Sequence, residues 1–175
     1  MKTHALIVGG QGVGKSTLIA RVRRELALQE AGIETVREAA PTEEWGNPVY
    51  IYRVGFPRTQ SAENLAAYAG PGGRTGFPEV FDRYAAFLRE DAGNCGLIIL
   101  DELGFLESDA ADFCRAVLDL LDGDTPVLAA VKPKDTPFLT AVRGHPKAQI
   151  FPIDETNRGI LPEQVLAFLK NRTDR

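Results

Sequence analysis

Cysteine and histidine are nearly missing from this 175-residue chain: two of each occur, Cys95, Cys114, His4 and His145. None stands in a CxxC or similar spacing, so the ligands of a structural zinc site are lacking. The two thiols read as small buried side chains in a reducing compartment. Long apolar runs are missing too. The longest, such as Leu97–Leu100, are far too short to span a bilayer, and Ala5–Val8, which runs into glycines, lacks the form of a signal peptide. A basic excess is the third absence. Lys and Arg number 20 against 24 Asp and Glu, a net charge of −4, which argues against a general binder of nucleic acid or anionic membranes. These absences predict a soluble, cytoplasmic protein with neither nucleic acid nor membrane among its partners, and they leave the oligomeric state open.

What is present is ordinary for a globular chain: 44% apolar and 25% charged residues, with 17 Gly and 11 Pro scattered along it. The length predicts one domain over residues 1–175, with a Gly/Pro-rich loop insertion at about 56–77. Short apolar strands alternate with helical spacing, which predicts an α/β sandwich with a mostly parallel central sheet and helices on both faces. Strands are expected at Ala5–Val8, Glu34–Arg37, Val49–Val54, Leu97–Leu100, Pro126–Val131 and Gln149–Ile153. Helices are expected at Thr17–Ala31, Glu79–Glu90, Asp109–Leu121, Phe138–Arg143 and Pro162–Lys170, with a short one near Ala62–Tyr68. The pair near 34–54 is expected to be antiparallel.

Gly9-Gly10-Gln11-Gly12-Val13-Gly14-Lys15-Ser16 satisfies G-x-x-x-x-G-K-[ST], and it lies between a short apolar strand and a helix, where such a loop must lie. Glycines let successive backbone N–H groups turn inward toward phosphate oxygens. A helix starting near Lys15, with Thr17 in its first turn, adds the positive end of its dipole. In this pattern Lys15 reaches the β- and γ-phosphates and the Ser16 hydroxyl ligates Mg²⁺. A dinucleotide-binding reading fails because lysine, not glycine, occupies position 15.

Leu97-Ile98-Ile99-Leu100 delivers Asp101 and Glu102 to a strand end. That is the Walker B arrangement, in which Asp101 serves Mg²⁺ through water and Glu102 orients or deprotonates an attacking water. Asp101-Glu102-Leu103-Gly104 also spells D-x-x-G, but Val131-Lys132-Pro133-Lys134-Asp135 does not supply the N-K-x-D of signalling GTPases, and no LSGGQ-like segment of an ABC ATPase occurs.

The phosphate loop, the run Ile98-Ile99-Leu100-Asp101-Glu102-Leu103-Gly104-Phe105-Leu106-Glu107, and Asn157-Arg158 together resemble the THEP1-type nucleoside-triphosphatases. The Lys132 segment and Thr35-Val36-Arg37-Glu38 are similar to that family as well. Residues 39–76 match it poorly, and Phe105 stands where members often have proline. The resemblance implies a P-loop fold and Mg²⁺-dependent hydrolysis of nucleoside 5′-triphosphates to diphosphates with loose base selectivity. Lys15 and Ser16 would hold phosphate and metal, Asp101 the metal, and Glu102 the water.

Phosphoryl transfer also calls for cations around the γ-phosphoryl group. Lys132, Arg143 and Arg158 follow strand ends on the ligand-binding edge. Arg158 is taken as the catalytic candidate and Arg143 as a solvated charge. Glu107 reads as a tether for the following helix, Arg58 and Arg74 as lid candidates in the glycine-rich stretch, and Trp45 and Tyr50 as packing aromatics with an outside role in base stacking. Two other functions fit the same motifs: a small kinase passing the γ-phosphate to a nucleoside or metabolite, and a nucleotide-dependent switch that works only with a partner.

Overall fold

The computed structural model describes residues 1–39, 46–71 and 73–173. In chain order the elements are β1 (His4–Val8), α1 (Lys15–Leu26), β2 (Glu30–Arg37), β3 (Asn47–Arg53), β4 (Leu65–Gly70), β5 (Gly73–Gly76), α2 (Pro78–Asp91), β6 (Leu97–Leu103), α3 (Ala111–Asp122), β7 (Val127–Val131), α4 (Pro137–Arg143), β8 (Ala148–Pro152) and α5 (Leu161–Thr173). They build an eight-stranded sheet in the order β5-β4-β3-β2-β6-β7-β1-β8. Strands β2, β6, β7, β1 and β8 run parallel, while β3, β4 and β5 extend one side as antiparallel hairpins.

The central strands are apolar without alternation because both of their faces are covered. Leu97–Leu100 and Val127–Val131 are completely buried. Helices α1 and α5 pack on one face, closing Leu18, Val22, Val165 and Leu169 over Ile7, Ile99 and Leu128. Helices α2, α3 and α4 cover the other, where Phe81 meets Phe113 edge to face at 5.5 Å above Leu6, Ile98 and Leu100. The result is the three-layer α/β sandwich expected from the alternating pattern, with the carboxyl ends of β1, β6 and β7 along one edge.

Two local expectations are corrected. The first helix does not reach Ala31: it stops at Leu26, and Ala27 takes a left-handed conformation with φ 49°. Residues 30–34 pair instead with β6, Glu30 opposite Leu97 through Glu34 opposite Asp101. Long-range pairing overrides the helical spacing here, and Gly32 allows the close approach, since a Cβ on it would lie 2.1 Å from the Ile99 carbonyl oxygen. The stretch read as loop at 56–77, with a short helix at 62–68, contains β4 and β5. Ala69 lies opposite Arg74 in that hairpin, and residues 54–64 before it are irregular. Small residues (Ala66, Ala67 and Ala69, all buried) carry no strong strand signal of their own and are held by the neighbouring strand β3.

Candidate active site

The loop between β1 and α1 is shaped at both ends by glycine. A Cβ on Gly9 would lie 2.6 Å from Ile153 Cγ2 and 2.7 Å from the Ile153 carbonyl oxygen, so the loop leaves the sheet tightly against the end of β8. Gly14 caps α1 at φ 106°, and no side chain caps that helix end, which leaves its first N–H groups turned toward the loop. Gln11, Gly12, Gly14, Lys15, Ser16, Thr17 and Glu102 line a cleft of about 310 Å³. That is large enough for part of a nucleotide.

Lys15 is only 5% exposed, and all three of its donors are engaged. Nζ donates to the carbonyls of Gly9 at 2.8 Å and Gly10 at 2.6 Å and pairs with Glu102 Oε2 at 3.0 Å. The other oxygen of that carboxylate, Oε1, lies 3.1 Å from Lys132 Nζ. Lys132 is fixed there because its backbone N–H donates to the Leu103 carbonyl at 3.0 Å, which ties the end of β7 to the end of β6. Ser16 Oγ donates to Asp101 Oδ1 at 3.1 Å. Burial pushes the Asp101 carboxyl up to about 6, against the Ser16 hydrogen bond, which favours the ionised form.

Ser16 and Asp101 are hard oxygen donors side by side, and burial of the carboxylate without a cation disfavours its charge. That donor set fits a divalent ion such as Mg²⁺, which keeps most of its waters and takes the rest of its ligands from phosphate. Among the described residues no cluster of three or more His, Cys, Asp or Glu is placed to hold a metal by itself.

Thr35, on β2, braces the acidic pair. Its Oγ1 accepts from the Glu102 N–H at 3.2 Å and donates to the Asp101 carbonyl at 3.4 Å. Beside it, Glu34 pairs with both Arg23 and Arg58. Burial works to raise its pKa, but the two guanidiniums outweigh it and hold the carboxyl below the usual range.

Of the residues singled out in the sequence, Lys15, Ser16, Asp101 and Glu102 come together directly. Val13 packs into the α1 side of the core and Thr17 is exposed in the first turn. Arg158, between β8 and α5, brings its Cδ within 3.9 Å of where a Gly14 side chain would begin. Glu107 is 3% exposed, and it differs from the helix tether expected of it: both carboxylate oxygens accept from the Gly104 N–H at 3.1 Å, closing the turn after β6. Arg143 spans the turn after β7, donating to the Lys132 and Lys134 carbonyls and pairing with Asp135. Arg58 is committed to Glu34, and Arg74 sits over the Phe105 ring at 5.3 Å. Tyr50 packs beside Tyr52, and Trp45 lies outside the described residues. Sequence reasoning missed the bracing by Thr35 and the second lysine on Glu102. The signal for Thr35 was its place on a strand adjoining the acidic one, which only strand order reveals.

A glycine-shaped loop opening a helix, a buried lysine, and an Asp-Glu pair delivered by a neighbouring buried strand define a P-loop nucleoside-triphosphate-binding protein. Comparison with known proteins narrows this. Residues 4–166 match the family model described as NTPase, and the chain belongs to that family of hydrolytic enzymes. It is 30% identical to the nucleoside-triphosphatase THEP1 of Methanosarcina acetivorans, over 91% of this chain and 92% of that protein. It is equally 30% identical to the protein of the same name from Thermotoga maritima, over 94% of each. Among solved structures, the crystal structure of THEP1 from Aquifex aeolicus shares the fold with a TM-score of 0.71 at 21% identity, covering 95% of this chain and 99% of that one. Among the described residues no helix is long and apolar enough to cross a membrane.

Proposed function

We propose that this chain hydrolyses nucleoside 5′-triphosphates to the diphosphate and phosphate, with Mg²⁺ as its metal, in the cytoplasm. The reading is carried by one observation: Glu102 Oε2 stands 3.0 Å from Lys15 Nζ, so a carboxylate able to take a proton borders the loop that holds phosphate. The names of the two relatives, both nucleoside-triphosphatases, support the hydrolytic reaction. Two free thiols, Cys95 and Cys114, agree with a reducing location.

In this mechanism the backbone N–H groups of Gly12–Ser16 and the dipole of α1 receive the β- and γ-phosphates. Ser16 Oγ and, through water, Asp101 would hold Mg²⁺, which would supply charge compensation for the triphosphate. Lys15 exchanges its bonds to Gly9, Gly10 and Glu102 for phosphate oxygens, which leaves Glu102 Oε2 free to accept a proton. The oxygen of a water held by Glu102 bonds to the γ-phosphorus as its proton passes to that carboxylate. The bond from phosphorus to the β–γ bridging oxygen breaks, and the diphosphate departs with the electron pair. Lys132 keeps Glu102 aimed through Oε1, Thr35 fixes its backbone, and Arg158 adds a cation beside the loop.

The test is phosphate release from Mg-ATP, Mg-GTP and Mg-CTP with no added acceptor. Release from all three, abolished by Lys15→Ala and by Glu102→Gln, is expected. Release only after a nucleoside or metabolite acceptor is added would instead establish the kinase reading. Binding with neither outcome would point to a partner-dependent switch.

A further inference from the structure

On the other side of Glu102 lies a second cavity of about 170 Å³ bounded by the antiparallel extension of the sheet. Gln11 and Glu102 line both this cavity and the nucleotide cleft, so the two spaces share a wall. Its far rim carries two guanidiniums, Arg37 at the end of β2 and Arg74 on β5. They are brought together by sheet register. Arg37 Nη2 donates to the Ala69 carbonyl at 2.8 Å, and Ala69 is the residue opposite Arg74 in the β4–β5 hairpin.

The charges around the cavity do not balance. Glu102 is already paired with Lys15 and Lys132. Glu107 is buried, and that burial pushes its carboxyl up to about 7 and favours its neutral form. Neither Arg37 nor Arg74 forms an ion pair with a carboxylate among the described residues: one holds a backbone carbonyl, and the other lies over Phe105. Among the described residues most of their donors are therefore uncommitted, beside an apolar wall of Val49, Ala69 and Leu106. The cavity, at about 170 Å³, is smaller than the nucleotide cleft of about 310 Å³ and below the roughly 300–1,000 Å³ of pockets for drug-sized molecules, a size that suits a small oxyanion.

We propose that this cavity is an oxyanion subsite in which Arg37 and Arg74 hold inorganic phosphate next to the cleavage position. It rests on the hydrolytic reading for one of its two sources: the phosphate is either the product moving off the γ-position past Glu102, or an ion entering from solution. The ligand chemistry is the same in both. Planar guanidiniums suit it because each presents paired N–H donors to adjacent oxygens of a tetrahedral anion.

The site is read at equilibrium, independently of turnover. The phosphate loop is first filled with a Mg-nucleoside diphosphate at saturation, and inorganic phosphate is then titrated calorimetrically. One equivalent is expected to bind. Arg37→Gln and Arg74→Gln should each weaken it tenfold to a hundredfold, the usual worth of a charge-assisted hydrogen bond, and the double variant should abolish it. Diphosphate affinity within twofold of wild type shows that each variant is folded, and Arg37→Lys and Arg74→Lys should recover part of the phosphate affinity. Phosphate binding that survives the double variant, or that disappears once diphosphate fills the loop, would overturn the proposal. The source is separated by single-turnover kinetics. A delay between cleavage and phosphate release, shortened in the double variant, assigns the site to product; binding without such a delay assigns it to phosphate from solution. Failure of the chain to hydrolyse any triphosphate would leave the calorimetric result standing on its own.

Discussion

Lys15 and Glu102 are joined at 3.0 Å, although one opens a helix after β1 and the other closes strand β6, with β7 between those two strands in the sheet. Lys15 is satisfied by its own loop, and Glu102 is clamped between that lysine and Lys132 at 3.1 Å. In the mechanism proposed above, Lys15 leaves its side of the clamp for phosphate and Lys132 keeps the carboxylate in place.

Lys132 should therefore matter to turnover more than to affinity. Lys132→Met is expected to lower kcat by roughly tenfold to a hundredfold, in the range of losing one preorganised polar contact at a reacting centre. The dissociation constant for Mg-triphosphate, measured on the same preparation, should move less than threefold.

Thr35 tests the brace under the acidic pair. Thr35→Val removes the acceptor of the Glu102 N–H and the donor to the Asp101 carbonyl while keeping the shape of the side chain. Stability should fall by about 1 kcal/mol and kcat severalfold. Thr35→Ser should restore both, which denaturant unfolding and phosphate release will check.

Glu107 separates a hydrogen bond from a charge. Its carboxyl is raised from 4.5 to about 7, mainly by burial. The stability this group lends is thus complete below about pH 4.5 and is lost as pH rises through 7. Glu107→Gln keeps an oxygen for the Gly104 N–H and removes the buried charge, so it should stabilise the protein by about 1–3 kcal/mol at pH 8 and do little at pH 4.5. Glu107→Ala leaves that buried N–H without its acceptor and should cost about 1–3 kcal/mol at pH 4.5 and less at pH 8, where loss of the buried charge offsets part of it.

His4 runs the opposite way. It is fully buried, its Nε2 facing the Leu121 carbonyl at 2.8 Å while Nδ1 accepts from the Val127 N–H at 3.2 Å. Burial lowers its pKa from 6.5 to about 4. The folded state therefore favours the neutral ring, and the stability it lends is whole above pH 6.5 and is lost as pH falls toward 4, by about 3 kcal/mol in all. Unfolding free energies of wild type and His4→Gln should converge by up to that amount between pH 7 and pH 4.

Much of the site was legible because its parts are local. The phosphate loop and the apolar run ending in Asp101-Glu102 each lie on one short stretch whose residue types are dictated by backbone geometry and burial. What the sequence left hidden is set by strand order. Thr35 reaches Glu102 only because β2 pairs with β6, Lys132 reaches it only because β7 flanks β6, and Arg37 meets Arg74 only through β3 and β4. The same physics explains the misread segments. Residues 27–31 carry helical spacing that pairing with β6 from Glu30 onward overrides, and the alanines and glycines of 65–70 and 73–76 become strand through their neighbours rather than by preference.

The most direct measurement of the central claim is single-turnover phosphate release by Glu102→Gln, with Mg-triphosphate affinity determined on the same protein. Glutamine keeps the size and an oxygen facing the water but cannot take its proton. Affinity within a few-fold of wild type and cleavage slowed by about a hundredfold to ten-thousandfold is the predicted result. Cleavage at the wild-type rate, with the triphosphate still bound, would contradict the role of Glu102.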